Sequence, residues 1–152
     1  MTTFDPFEVL NLEKTYSLDL NKLEKHYFAE QKKSHPDQCA QADEQQKAEA
    51  VKKSTAVNQA YLILKDPLRR AEYLLKAAGI EMLSSDPSFL GKVMTWNERL
   101  ETGEDLKPTL YDEETMLLKD LTTAFMVKDY EKARIAIYRL TYVQKLLKQR
   151  DE

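Results

Sequence analysis

A chain of 152 residues, 42% hydrophobic and 32% charged, is too apolar to be disordered and long enough for one domain or two small ones. Three glycines and five prolines are too few to turn a set of short strands, which points to an all-α class, and a single cysteine, Cys39, excludes an intrachain disulfide and any multi-cysteine zinc site. A net charge of −3 argues against general nucleic-acid binding, and neither a membrane-spanning apolar run nor a targeting pattern at MTTFDPFEVL is present, so the expected location is the cytosol.

The first helix is expected to be short, with Asp5 as N-cap, Pro6 in its first position and Asn11 at its end. The second begins after Ser17 or Asp19 and runs to His35, because the residue before Pro36 is pushed out of the α region. PDQCAQADEQQ is a polar connection, and from about Glu44 a long helix carries Val57, Tyr61 and Leu64 at helical spacing. Asp66 and Pro67 break it, LRRAEYLLKAAG continues as a helix that Gly79 closes, and the boundary between two lobes is expected near residues 76–84. Three further helices follow, roughly Pro87 to Glu101, Thr109 to Val127 and Tyr130 to Gln149, joined by short breaks as in an antiparallel bundle.

On the second helix, Leu20, Leu23 and Tyr27 project to one side, expected to pack on the following long helix, and Lys22, Lys25, His26, Lys32 and Lys33 project to the other. The cationic stripe is read either as a solvated face or as a docking surface for an acidic partner. Pro36 ends the helix, so His35 and Asp37 should stand in a defined turn at the tip of the hairpin. Asp37 there either caps a backbone amide or accepts a bidentate arginine from a partner.

Residues 1–75 resemble a J-domain. The resemblance rests on the short first helix, the basic second helix, His35-Pro36-Asp37, and the pattern Asn58, Ala60, Tyr61, Leu64, Asp66, Pro67 in VNQAYLILKDPLRRAEYLL. RRAEYLL and a short helical second lobe, residues 85–152 beyond a linker at 76–84, are similar to the HscB-type J-protein co-chaperones of iron–sulfur cluster biogenesis. The fold implied is all-α: a J-domain made of a helical hairpin plus a short helix, then a C-terminal three-helix bundle that binds a client. The resemblance further implies that His35, Pro36 and Asp37, approached through Lys22, Lys25, Lys32 and Lys33, trigger the ATPase of a seventy-kilodalton-class heat-shock chaperone resembling HscA. The chain itself would be no enzyme and would need no cofactor or metal. Lys32, Ser34, Gln38 and Cys39 depart from the family pattern, which commonly has arginine, tyrosine, lysine and an aromatic residue there.

In DPSFLGKVMTWNERLE, Phe89, Val93, Trp96 and Leu100 recur as a core face. Leu90 and Met94 form a second stripe rotated from it, continued by Glu98 and Glu101, and that stripe is read either as packing on the first lobe or linker or as a protein-binding surface. The family resemblance favours the second, with Leu90, Met94, Glu98 and, on the last helix, Tyr142 as the implied surface for an IscU-type iron–sulfur scaffold. Gly91 and Thr95 stand where a larger apolar side chain and an acid are expected. Gly91 costs the helix about 1 kcal/mol relative to alanine unless packing demands it. Asp112 to Glu114 read as first-turn charge on the helix dipole. A J-protein with a different client, or a self-associating one, is the alternative reading. A metal-dependent enzyme built on His35, Asp37 and Cys39 is set aside, since His26 is the only further histidine. The location implied is the bacterial cytoplasm, or otherwise the mitochondrial matrix after processing.

Overall fold

The computed structural model describes residues 4–34 and 43–150. Among these residues there are seven helices and no strand, as the scarcity of glycine and proline implied. The chain divides into two compact units between Arg70 and Ala71.

In the first unit, α1 (Pro6–Val9) is a single turn whose four residues are held by their cap. Asp5 accepts hydrogen bonds from the amides of Phe7 (2.9 Å) and Glu8 (3.4 Å), and Pro6 supplies a preset φ with no amide to satisfy. The turn ends where Asn11 takes a left-handed φ of 54°, a conformation that asparagine tolerates better than most residues. α2 (Leu20–Ser34) starts after Asp19, whose carboxylate accepts from the amides of Asn21 and Lys22 at 2.9 and 3.4 Å. α3 (Glu44–Lys65) opens with a reciprocal capping box between Asp43 and Gln46. α2 and α1 both pack on α3, around a core of Phe7, Leu10, Leu23, Val57, Ala60 and Leu64.

The break at Asp66-Pro67 re-pairs two of the backbone groups that it disturbs, the Leu68 amide and the Leu64 carbonyl. Pro67 forces Asp66 to an extended ψ of 117°, which ends α3 and restarts the chain as α4 (Pro67–Ala77). The Leu68 amide, which would have bonded back to Leu64, donates instead to the Asp66 carboxylate at 3.0 Å. The Leu64 carbonyl so released accepts from Arg70 Nη1 at 2.6 Å. Arg70 is buried, its guanidinium 4.9 Å from the Tyr16 ring centre, and desolvation draws its pKa below the ordinary arginine value. α4 closes with Gly79 at φ 80°: the Ile80 amide reaches the Leu75 carbonyl (2.9 Å) and the Gly79 amide that of Lys76 (3.0 Å), a Schellman arrangement.

The second unit contains α5 (Pro87–Glu101), α6 (Lys107–Met126) and α7 (Tyr130–Arg150). α6 and α7 make the tightest pairing, with Leu110, Leu117, Leu121, Ile137, Leu140 and Val143 between them and Ala124, Ala133 and Ala136 buried near the turn. α5 lies against that hairpin through long side chains. Phe89 meets Trp96 edge-on at 5.5 Å and Tyr142 at 6.1 Å, and Lys92 pairs with Glu113 at 2.8 Å. Val93 and Leu100, expected in the core, are half-buried, and the fully buried positions of α5 are Phe89 and Trp96. α6 begins two residues before the expected Thr109, because Pro108 fits a first turn that needs no amide from it. Asp112 to Glu114 therefore lie in the second turn, and Glu113 serves the bridge to Lys92 rather than the helix dipole.

Candidate functional site

His35, Pro36 and Asp37, with Gln38 and Cys39, lie outside the described residues. The helix that leads to them is described. Lys22, Lys25, Lys32 and Lys33 are all exposed. Among the described residues only Lys33 of these four has an acid within ion-pair reach, Glu30 at 3.5 Å. His26, expected on the same face, is half-buried with Nδ1 2.7 Å from the Leu10 carbonyl oxygen. It fastens α2 to the end of α1, turned away from the exposed lysines. Leu20, expected on the packing face, is 53% exposed. It opens the helix about 60° round from Leu23, and the buried line continues instead through Glu30 and Ser34.

Glu30 carries no signal in the sequence. It is only 6% exposed and is surrounded by Asn11 Nδ2 (3.0 Å), Lys33 (3.5 Å) and Lys53 (3.7 Å), so one carboxylate joins the turn after α1 to both α2 and α3. A buried carboxylate persists only with such partners. The Ser34 hydroxyl, also buried, donates to the Glu30 carbonyl at 2.8 Å and closes the last turn of α2 before the His-Pro-Asp segment. Along the other edge, Tyr27 stacks on Tyr61 with centroids 4.1 Å apart and donates to Asn58 Oδ1 at 2.7 Å. Gln31 also donates to Asn58 and accepts from the Ser54 hydroxyl at 3.1 Å. Asn58, Ala60, Tyr61, Leu64, Asp66 and Pro67, singled out as a pattern, are thus the residues that knit α2 to α3 and end α3.

In the second unit, Leu90 and Met94 are 56% and 54% exposed, and Glu98 is exposed further along α5. Leu90 and Tyr142 line one groove of about 260 Å³, together with Pro87, Phe89, Val93 and Tyr138. Met94 and Glu98 lie outside it, on the same helix. Tyr138 and Tyr142 also line a second groove of about 390 Å³, with Met82, Leu83, Ile137 and Lys145. Tyr138 is absent from the residues expected at this surface, although its spacing of four from Tyr142 puts both rings on one face of α7. Asp86 also lines the first groove and accepts from Arg139 Nε (2.7 Å) and Nη2 (3.4 Å), with the guanidinium 5.3 Å from the Phe89 ring centre. The hydrogen bond and charge of Arg139 hold the Asp86 carboxyl below its ordinary pKa.

A family model described as the DnaJ domain matches residues 5–73, and one described as the HSCB C-terminal oligomerisation domain matches residues 85–150. The Co-chaperone protein HscB homolog of Aeromonas hydrophila is 32% identical, over 94% of this chain and 92% of its own length. The chain belongs to the HscB co-chaperone family. The Iron-sulfur cluster co-chaperone protein HscB of Mus musculus is also 32% identical, over 92% of this chain and 64% of the mouse protein. Of solved structures, the chaperone HscB from Vibrio cholerae superposes with a TM-score of 0.83 at 34% identity, over 95% of this chain and 94% of that one. The human co-chaperone HscB gives 0.89 at 28% identity, over 98% and 81%. The J-domain and the HscB-type lobe read from the sequence are both present, and HscB relatives occur in bacteria and in mouse. Among the described residues no helix is long and apolar enough to cross a membrane, and no three His, Cys, Asp or Glu side chains are grouped to hold a metal ion.

Proposed function

We propose that this chain activates the ATPase of a seventy-kilodalton-class, HscA-like chaperone and delivers to it an IscU-type iron–sulfur scaffold. In this reading Lys22, Lys25, Lys32 and Lys33 bring the basic face of α2 against an acidic surface of the ATPase. His35, Pro36 and Asp37 then engage it, Asp37 as an acceptor for an arginine. The scaffold docks on Leu90, Met94, Glu98 and Tyr142. The chain contributes binding energy and an allosteric bias, and the phosphoryl chemistry is the partner's.

The observation that carries the reading is the family match over both lobes, in a chain that retains His35-Pro36-Asp37 after a helix whose Lys22, Lys25 and Lys32 have no acid partner among the described residues. Two exposed apolar residues beside an aromatic groove support the client half, since methionine and leucine rimmed by acid suit a protein partner. The test is the steady-state ATPase rate of the chaperone from the same organism, with this protein, with and without the scaffold. Stimulation that rises further with scaffold and vanishes in His35→Gln is expected. Scaffold pull-down is expected for the wild type and lost in Leu90→Ala/Met94→Ala. Stimulation indifferent to scaffold would leave a J-protein with another client, and no stimulation would remove the reading.

A further inference from the structure

Phe28 is 64% exposed on α2. A single exposed apolar side chain ordinarily needs no explanation. This one is the outer member of a row of three rings. Its centroid is 5.4 Å from that of Tyr27, and Tyr27 stacks on Tyr61 at 4.1 Å with a 17° angle between planes. The row is fixed from below by hydrogen bonds that cross from α2 to α3: Tyr27 to Asn58, Gln31 to Asn58 and Ser54 to Gln31. These bonds hold Tyr27, the ring beside Phe28, so the platform next to the exposed ring loses little conformational freedom when a partner covers it.

Charge surrounds the row on the side away from α3. Lys25 and Lys32 stand three residues before and four after Phe28, within one strip of the helix, and Lys22 lies one turn before Lys25. None of the three has an acid partner among the described residues. Glu24, one turn before Phe28 and in contact with the Tyr61 hydroxyl at 3.5 Å, borders the row on the side toward α3 and is a carboxylate that would repel a phosphate backbone. Tyr27 and Tyr61 already cover each other's faces, which leaves no open ring pair to sandwich a base. The surface therefore fits a protein with an apolar depression bordered by carboxylates.

We infer that Phe28 is the apolar anchor of the chaperone-docking face, inserted between Lys25 and Lys32 into such a depression on the ATPase partner. The inference rests on the reading of the chain as an activator of that chaperone. Lysines at a rim speed encounter and give salt dependence, whereas a desolvated aromatic ring slows dissociation. The two contributions are separable by experiment.

The test titrates this protein against the chaperone purified from the same organism, reading the plateau of ATPase stimulation and the concentration for half of it at several salt concentrations. Phe28→Ala is expected to raise the half-maximal concentration about tenfold, the scale of an aromatic hot spot, with plateau and salt slope unchanged. Phe28→Leu should recover most of that loss. Lys25→Ala/Lys32→Ala should raise the same concentration and flatten the salt slope, and His35→Gln should abolish the plateau. If Phe28→Ala and Phe28→Leu both stay within about twofold of wild type while His35→Gln fails, the anchor is refuted and the co-chaperone reading stands. A lowered plateau in both Phe28 variants would assign the ring to the trigger or the fold and equally refute docking. A wild-type protein that does not stimulate removes both ideas together.

Discussion

Replacing Gly91 by alanine should stabilise the second unit. Gly91 lies in the interior of α5, exposed, without a positive φ, and a Cβ built on it meets no atom within 4 Å. The one side-chain bond to its backbone, from the Thr95 hydroxyl to its carbonyl at 3.0 Å, is indifferent to a methyl group at the α-carbon. The full helix-propensity difference of about 0.5 to 1 kcal/mol is therefore available, with no clash to offset it. Trp96 is the only tryptophan, buried five residues along the same helix and edge-on to Phe89, so its fluorescence follows the unfolding of this unit alone. For a urea slope of about 1.5 kcal/mol/M, the midpoint should rise by roughly 0.3 to 0.7 M at constant slope. An unchanged or lowered midpoint would refute the reasoning and mean that the glycine answers to a constraint the free chain does not display.

Two further outcomes follow from the ion pairs. Asp86→Asn removes the charge held against Arg139, in a side chain 7% exposed, and should cost about 1 to 3 kcal/mol near neutral pH. Because the folded pKa of Asp86 is depressed, its contribution is complete above the unfolded value of about 3.9 and is lost as pH falls through the lower folded value. Acid titration of stability should therefore bring wild type and variant together at the acid end, and a gap independent of pH would contradict the assignment. Glu30→Ala leaves Asn11, Lys33 and Lys53 without their shared acceptor and should lower stability by about 1 to 3 kcal/mol. Glu30→Leu should recover much of that in denaturant unfolding, since replacing a buried ionic group by a packed apolar one is often neutral.

Most helix ends are legible in the amino-acid order alone, because their signals act over a few residues. Asp5 before Pro6, Asp19, the Asp66-Pro67 break and Gly79 each produce the expected local hydrogen bonds. The family is legible too, since Asn58, Tyr61, Asp66 and Pro67 of its pattern are residues that make the α2–α3 seam and the α3–α4 break. Lys107 is an exception: it falls inside α6 rather than in the expected loop, because Pro108, which would break a helix further in, here begins one.

The tertiary structure decided which side of each helix is covered. Spacing alone puts Leu20 inside and His26 in water, yet Leu20 is exposed and His26 is turned to the Leu10 carbonyl. Spacing puts Glu30 on the face of Leu23, but its charge gives no reason to bury it, and its burial depends on Asn11, in the turn that ends α1, and on Lys53, on the facing helix. The same holds for the groove that unites Leu90 with Tyr138 and Tyr142, and for the bridge that draws Glu113 to Lys92. Caps and breaks are settled by neighbours along the chain, so the sequence determines them locally; burial and pairing are settled by neighbours in space, which only the packed helices supply.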